Sequence, residues 1–155
     1  MTDLPEATGT GRAELRECRG PGEYPRLVEI WRSAVDATHD FLAEADRDSI
    51  EDALPGDYFP QVRLTVADVD GRPVGFAGTA DGNLEMLFVH AEARGKGVGT
   101  LLLHDAVENQ GVSRVDVNEQ NRQAVDFYLR RGFAVTSRDE LDEAGRPYPV
   151  LHMAR

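Results

Sequence analysis

Apolar and polar positions keep one rhythm in the first part of this chain and another in the middle. From Tyr24 the apolar residues fall at Leu27, Val28, Ile30, Trp31, Ala34 and Val35, helical spacing with one buried face. A second helix is expected over about Asp46 to Leu54, stopped by Pro55-Gly56. The pattern then becomes an alternation: Val62, Leu64 and Val66 take turns with polar neighbours, and Asp70-Gly71 is a hairpin turn. Val74 to Thr79 returns as the partner strand, Asp81-Gly82 turns again, and Leu84 to Val89 makes a third strand. Ahead of these, Arg12 to Cys18 alternates weakly as a first strand, broken by Gly20-Pro21-Gly22. Beyond them, a helix from about Val98 to Asn109 offers Val98, Leu101, Leu102, Ala106 and Val107 to a core. Val112 to Val117 reads as a short buried strand. Asn121 suits a helix N-cap, Arg130 and Arg131 that helix's C-terminus, and Gly132 its left-handed stop. Phe133 to Ser137 and Tyr148 to Met153 close the chain as two strands around Gly145-Arg146-Pro147. The resulting order, β-α-α-β-β-β-α-β-α-β-β, is a mixed α/β (α+β) chain with an antiparallel half and a crossover half.

Length narrows this to one domain. The chain has 155 residues, enough for a single core and too few for two. Residues 1 to 11 are small, polar and Gly/Thr-rich, which predicts a disordered tail or an expression remnant ahead of a domain over 12–155. No apolar run approaches the roughly 20 residues that span a bilayer, so no membrane partner is expected. The N-terminus lacks the basic and apolar regions of a secretory leader, and a lone Cys18 cannot form an internal disulfide. Both point to the cytoplasm. With 17 basic and 28 acidic residues the net charge is −11, which opposes nucleic-acid binding and favours cationic substrates such as amines, lysine side chains or polyamines. His90, His104 and His152 share no spacing that suggests metal ligation, and no metal is expected.

Candidate chemistry concentrates at Arg94-Gly95-Lys96-Gly97-Val98-Gly99-Thr100, between the third meander strand and the following helix. Glycines let the backbone approach a ligand closely, and a helix N-terminus adds unpaired N–H donors and positive dipole. Such a junction favours a phosphate group. It is not a Walker loop, because Gly97 rather than Ser or Thr follows Lys96. A dinucleotide fingerprint also fails, since Thr100 or Leu102 stands where its last glycine is needed.

What remains, Arg-x-x-Gly-x-Gly at a strand-to-helix junction, resembles the cofactor loop of the Gcn5-related N-acetyltransferases (GNAT). A second stretch, Val117-Asn118-Glu119-Gln120-Asn121-Arg122-Gln123-Ala124-Val125-Asp126-Phe127-Tyr128 followed by Arg131-Gly132-Phe133, is similar to that family's next motif and lies about two dozen residues on. Trp31 to Leu42 is similar to a subgroup of small bacterial members, some of them regarded as protein-lysine acetyltransferases.

The resemblance implies a central sheet of about seven strands, split like a V between the fourth and fifth, with acetyl-CoA as cosubstrate. It implies that backbone groups of Phe88 and Val89 pair with the pantetheine arm. N–H groups from Arg94 through Gly95, Lys96, Gly97, Val98 and Gly99 to Thr100 would bind the pyrophosphate, with Asn118 and Asn121 on the fifth-strand side. Asn121 could equally be a simple helix cap. The reaction implied is direct acyl transfer from a thioester to a primary amine, on a small molecule or a protein lysine. An alkyl ammonium with a pKa near 10 must first lose a proton, and the departing thiolate benefits from gaining one. Family placement gives the acid role to Tyr128. For the base it offers Glu85, on the strand bordering the cleft, while His39 is a second candidate because imidazole titrates near neutrality. Trp31, His39, Phe41, Glu85 and Tyr148 are the expected acceptor-side residues. A CoA-binding sensor without transferase activity is the alternative reading. A monomer and a homodimer both remain open.

Overall fold

A computed structural model describes residues 12–155, so the expected tail over residues 1 to 11 lies outside the described residues. Seven strands form one sheet in the order β1-β2-β3-β4-β5-β7-β6. They are β1 (Ala13–Glu17), β2 (Arg63–Val69), β3 (Arg72–Ala80), β4 (Asn83–Val89), β5 (Arg114–Asn118), β6 (Ala134–Asp139) and β7 (Val150–Ala154). Four α-helices accompany them: α1 (Tyr24–Thr38), α2 (Glu44–Ala53), α3 (Val98–Gln110) and α4 (Arg122–Arg130). None of the described helices is long and apolar enough to cross a membrane.

Alternation along the strands divides the core in two. On one face Leu64, Val66 and Phe76 pack with Leu27, Ile30, Trp31 and Val35 of α1 and with Phe59. On the other, Ala67, Ala77 and Leu84 pack with Leu102, Leu103 and Ala106 of α3 and with Tyr128 and Phe133. Neighbouring residues such as Phe76 and Ala77 therefore serve opposite layers, as the pleat requires.

Three boundaries depart from the sequence pattern. Pro55-Gly56 does not end the helical path: α2 runs into one wide turn, Leu54–Tyr58, in which Phe59 N–H donates to the Leu54 carbonyl. Pro55 is tolerated there because it stands in the first positions of that turn, where its missing N–H costs nothing. The last strand begins at Val150 rather than Tyr148. Tyr148 instead turns inward, its hydroxyl accepting from Ala43 N–H at 3.1 Å and donating to Asp46. The fifth strand starts at Arg114 and alternates, with Val115 and Val117 buried but Asp116 exposed, so it is not buried throughout.

The sheet is antiparallel except at its centre. β4 and β5 run parallel and pair only at Asn83↔Arg114 and Leu84↔Val115. β4 then continues along β3 up to Gly75↔Val89, while β5 continues along β7 up to Asn118↔Val150. The two halves thus diverge after two residue pairs and leave a V with two facing, unpaired backbone edges.

Candidate active site

Backbone geometry builds one side of the V. Gly95 and Gly97 hold φ angles of 76° and 83°, which an L side chain would strain, and Gly97 caps α3 in that left-handed state. The first ladder bond after the cap is Leu101 N–H to the Gly97 carbonyl at 3.0 Å. Amides ahead of it are the orphan donors of a helix N-terminus. Val98 is buried, so it can offer a ligand only its amide, whereas Arg94, Gly95, Lys96 and Gly97 are exposed. The Thr100 hydroxyl already accepts from Arg131 at 2.8 Å, and the Arg94 guanidinium donates to the Gln123 side chain.

From this loop a cleft of about 330 Å³ runs down the split. Its walls include Phe88 and Val89 on one side and Asn118, Asn121 and Tyr128 on the other. Asn121 caps α4, its side-chain oxygen accepting from Ala124 N–H at 3.2 Å. The cap and the cleft position are therefore both real. Tyr128 is 5% exposed, wedged edge-on between Phe127 and Phe133. No group among the described residues hydrogen-bonds its hydroxyl, and burial alone pushes its pKa above the ordinary phenol value. A buried, unpartnered hydroxyl in a cleft wall is costly unless a ligand completes it.

His39, expected among the acceptor-side residues, lines this cleft and not the one that Trp31 lines. Its tautomer follows from proton counting. Thr38 Oγ1 gives its one hydrogen to the Ala34 carbonyl at 2.8 Å, so in its 2.7 Å contact with His39 Nδ1 it must accept. Nδ1 therefore carries the proton, and Nε2 presents a lone pair to the Asn121 amide at 3.4 Å. Burial, assisted by the nearby Arg47 charge, pulls the imidazole down to about 4.

On the other side of the split lies a second cleft of about 480 Å³, lined by Trp31, Glu85, Asp116, Asp139, Glu143 and His152 among others. Glu85 belongs to both clefts. It is the extra residue of a bulge in β4, because Gly78 pairs with Met86 and Thr79 with Leu84. A bulge re-aims the side chain it releases, here into the gap. Partial burial raises the Glu85 pKa; the Asn83 amide, which donates to it, opposes that, and Asp116 and Glu143 add to it. Phe41 and Tyr148 sit behind these walls. Their rings pack against each other at 6.2 Å, and Phe41 also packs on His39 at 5.2 Å.

The sequence matches the family model of the acetyltransferase (GNAT) domain over residues 34–153. The chain belongs to the GNAT family. It is an N-acetyltransferase, an enzyme rather than a sensor. Among similar proteins is the peptidyl-lysine N-acetyltransferase YjaB of Salmonella typhimurium, 43% identical over 132 residues, covering 84% of this chain and 90% of the relative. Its namesake in Escherichia coli is 43% identical over 133 residues, covering 85% and 90%. The solution structure of apo-form YjaB from Escherichia coli superposes with a TM-score of 0.81 at 40% identity, covering 92% of this chain and 97% of that one. PaiA N-acetyltransferase from Thermoplasma acidophilum in complex with coenzyme A shares the fold, with a TM-score of 0.72 at 19% identity over 93% and 99% of the chains.

For this GNAT enzyme, Asp116, Asp139 and His152 are cleft residues that the sequence pattern did not single out. Asp116 could have been found: it is the polar residue between Val115 and Val117, and so faces away from their core. His152 carried the same signal between Leu151 and Met153, but its carboxylate neighbours on β5 and β6 could not be read from the chain.

Proposed function

We propose that the protein transfers the acetyl group of acetyl-CoA directly to the ε-amino group of lysine in a peptide or protein. The observation that carries this is the split between β4 and β5, with Glu85 reaching both clefts. Acetyl-CoA supplies the activated acyl group. The residues fit it: amides ahead of Leu101 suit a diphosphate, the open edges of Phe88 and Val89 suit amide groups, and the Tyr128 hydroxyl lacks a partner.

Each side chain has a separable task. Glu85 accepts the ammonium proton, directly or through water, which the raised pKa of its carboxylate assists. The Tyr128 phenol stays protonated at neutral pH and can hand its proton to the leaving sulfur. His39, neutral with Nδ1 committed to Thr38, is placed to orient Asn121 and to accept a hydrogen bond at Nε2. Support for a lysine acceptor comes from two sources. The second cleft is walled by Asp57, Glu85, Asp116, Asp139, Asp142 and Glu143, against only Arg146 and His152 as basic groups. Relatives at 43% identity carry the name peptidyl-lysine N-acetyltransferase.

Incubation with acetyl-CoA and a set of lysine peptides, read by thiol release and by mass, tests the reading. One added acetyl group on a lysine side chain is the expected product. Acetylation confined to small amines, with peptides untouched, would refute the acceptor assignment.

A further inference from the structure

In the acceptor cleft, one histidine is gripped from both ends. His152 Nδ1 lies 2.6 Å from Asp116 Oδ1 on β5, and its Nε2 lies 2.7 Å from Asp139 Oδ2 on β6. The sheet enforces this. Asp116 pairs directly with His152 across β5 and β7, and Asp139 lies two residues beyond the Ser137↔His152 pair on the other side. Ionised carboxylates only accept hydrogen bonds, so both ring nitrogens must donate, and the ring is an imidazolium. Because the two carboxylates sit at opposite ends of the ring, the three groups do not converge on one point. No group of His, Cys, Asp or Glu is placed to hold a metal among the described residues.

We infer that His152 is a positioning residue for catalysis: as a cation clamped between Asp116 and Asp139, it holds Asp116 in place and offsets its charge beside Glu85. The inference rests on the reading of Glu85 as base. Glu85 and Asp116 face the same cleft, and both also line an adjoining hollow with His152. The charged groups acting on Glu85 are Asp116 and Arg114 from β5 and Glu143 from the β6–β7 connection, with the Asn83 amide on its own strand. Those acting on His152 are Asp116 and Asp139, which raise its pKa against the cost of burial. Remove the cation, and a bare Asp116 carboxylate stands by the base. Glu85 would then hold its proton to higher pH, and the low-pH limb of kcat/KM would move up.

His152→Gln should shift that limb upward by on the order of half a pH unit, about a threefold loss of kcat/KM on the acid side, with little change on the alkaline side. His152→Arg, which puts a cation back between the carboxylates, should restore the limb. An NMR titration of the His152 ring should give a midpoint above the ordinary histidine value, falling in Asp139→Asn; this reading needs no substitution of His152 itself. A midpoint at or below the ordinary value overturns the proposal, as does a His152→Gln limb that stays in place while Glu85→Gln abolishes it. A low-pH limb that survives in Glu85→Gln overturns the base assignment, and the proposal falls with it.

Discussion

Two buried side chains with opposite demands line the cleft below the glycine loop. Tyr128 keeps a hydroxyl with no protein partner. Tyr128→Phe removes that desolvated group at little packing cost, so the melting temperature should hold or rise slightly, while kcat falls about 100-fold or more. Equal turnover in the two proteins would remove Tyr128 from the acid role. His39 is the reverse case, a group fully satisfied only when neutral. Its folded-state pKa of about 4 lies below the unfolded value of 6.5. Between those two values the unfolded chain binds the extra proton, so stability is complete above pH 6.5 and declines as the pH falls toward 4. The loss is worth about 2 to 3 kcal/mol. Glu23, held down to about 2 by Arg16, contributes with the same sign but only below its ordinary value of 4.5. His152, raised by its carboxylates, has the opposite sign, because the folded ring is already protonated while the unfolded one finishes protonating just below 6.5, and Glu85, raised by burial, opposes in the same way above 4.5. Subtracting the urea-unfolding profile of His39→Gln from that of the unaltered protein between pH 6.5 and 5 should therefore isolate His39, the difference in stability falling as the pH falls. Tyr128 was legible in the sequence through its motif. The His39 tautomer was not, because it depends on where Thr38 sends its single hydrogen.

The elements were legible where local chemistry decides them and illegible where tertiary contacts do. Asp70-Gly71 and Asp81-Gly82 turn as their residues require, with Asp70 at φ 53° and Asp81 at φ 51°. Asn121 caps α4 as its side chain suggests. Tyr148, by contrast, looks like a strand residue and is drawn out of β7 by Ala43 and Asp46, more than a hundred residues earlier. The bulge at Glu85 likewise leaves no trace in its own alternation, since it exists only in the register against β3. At the start of α3 the left-handed cap makes a further prediction. Gly97→Ala should cost about 1 to 2 kcal/mol of stability, because a Cβ strains φ 83°. It should also weaken CoA binding by calorimetry more than a Gly→Ala change in an exposed loop far from the cleft. Unchanged affinity would mean that the loop amides do not grip the diphosphate.

At the scale of the molecule, charge and topology act together. A net charge of −11 surrounds the acidic cleft proposed for the acceptor, so encounter with a basic peptide should be steered. Raising ionic strength from about 0.05 to about 0.5 M shortens the screening length several-fold and should lower kcat/KM for a lysine peptide with basic neighbours. A peptide with acidic neighbours should change less or in the opposite direction; identical salt profiles would rule out steering. The number of strands and their order of appearance were readable from pattern alone. Where the sheet parts was not, since β4 and β5 carry apolar residues past their last shared pair and only the long-range pairing with β3 and β7 pulls them apart. That parting has a consequence for the protein's own endurance. Two rungs stitch one half of the ladder to the other, and the amides beyond them wait for a guest to finish the weave. The small molecule that feeds the reaction would then also be mortar. Protection of the inner amides against deuterium, and resistance to heat, should climb together as it is added.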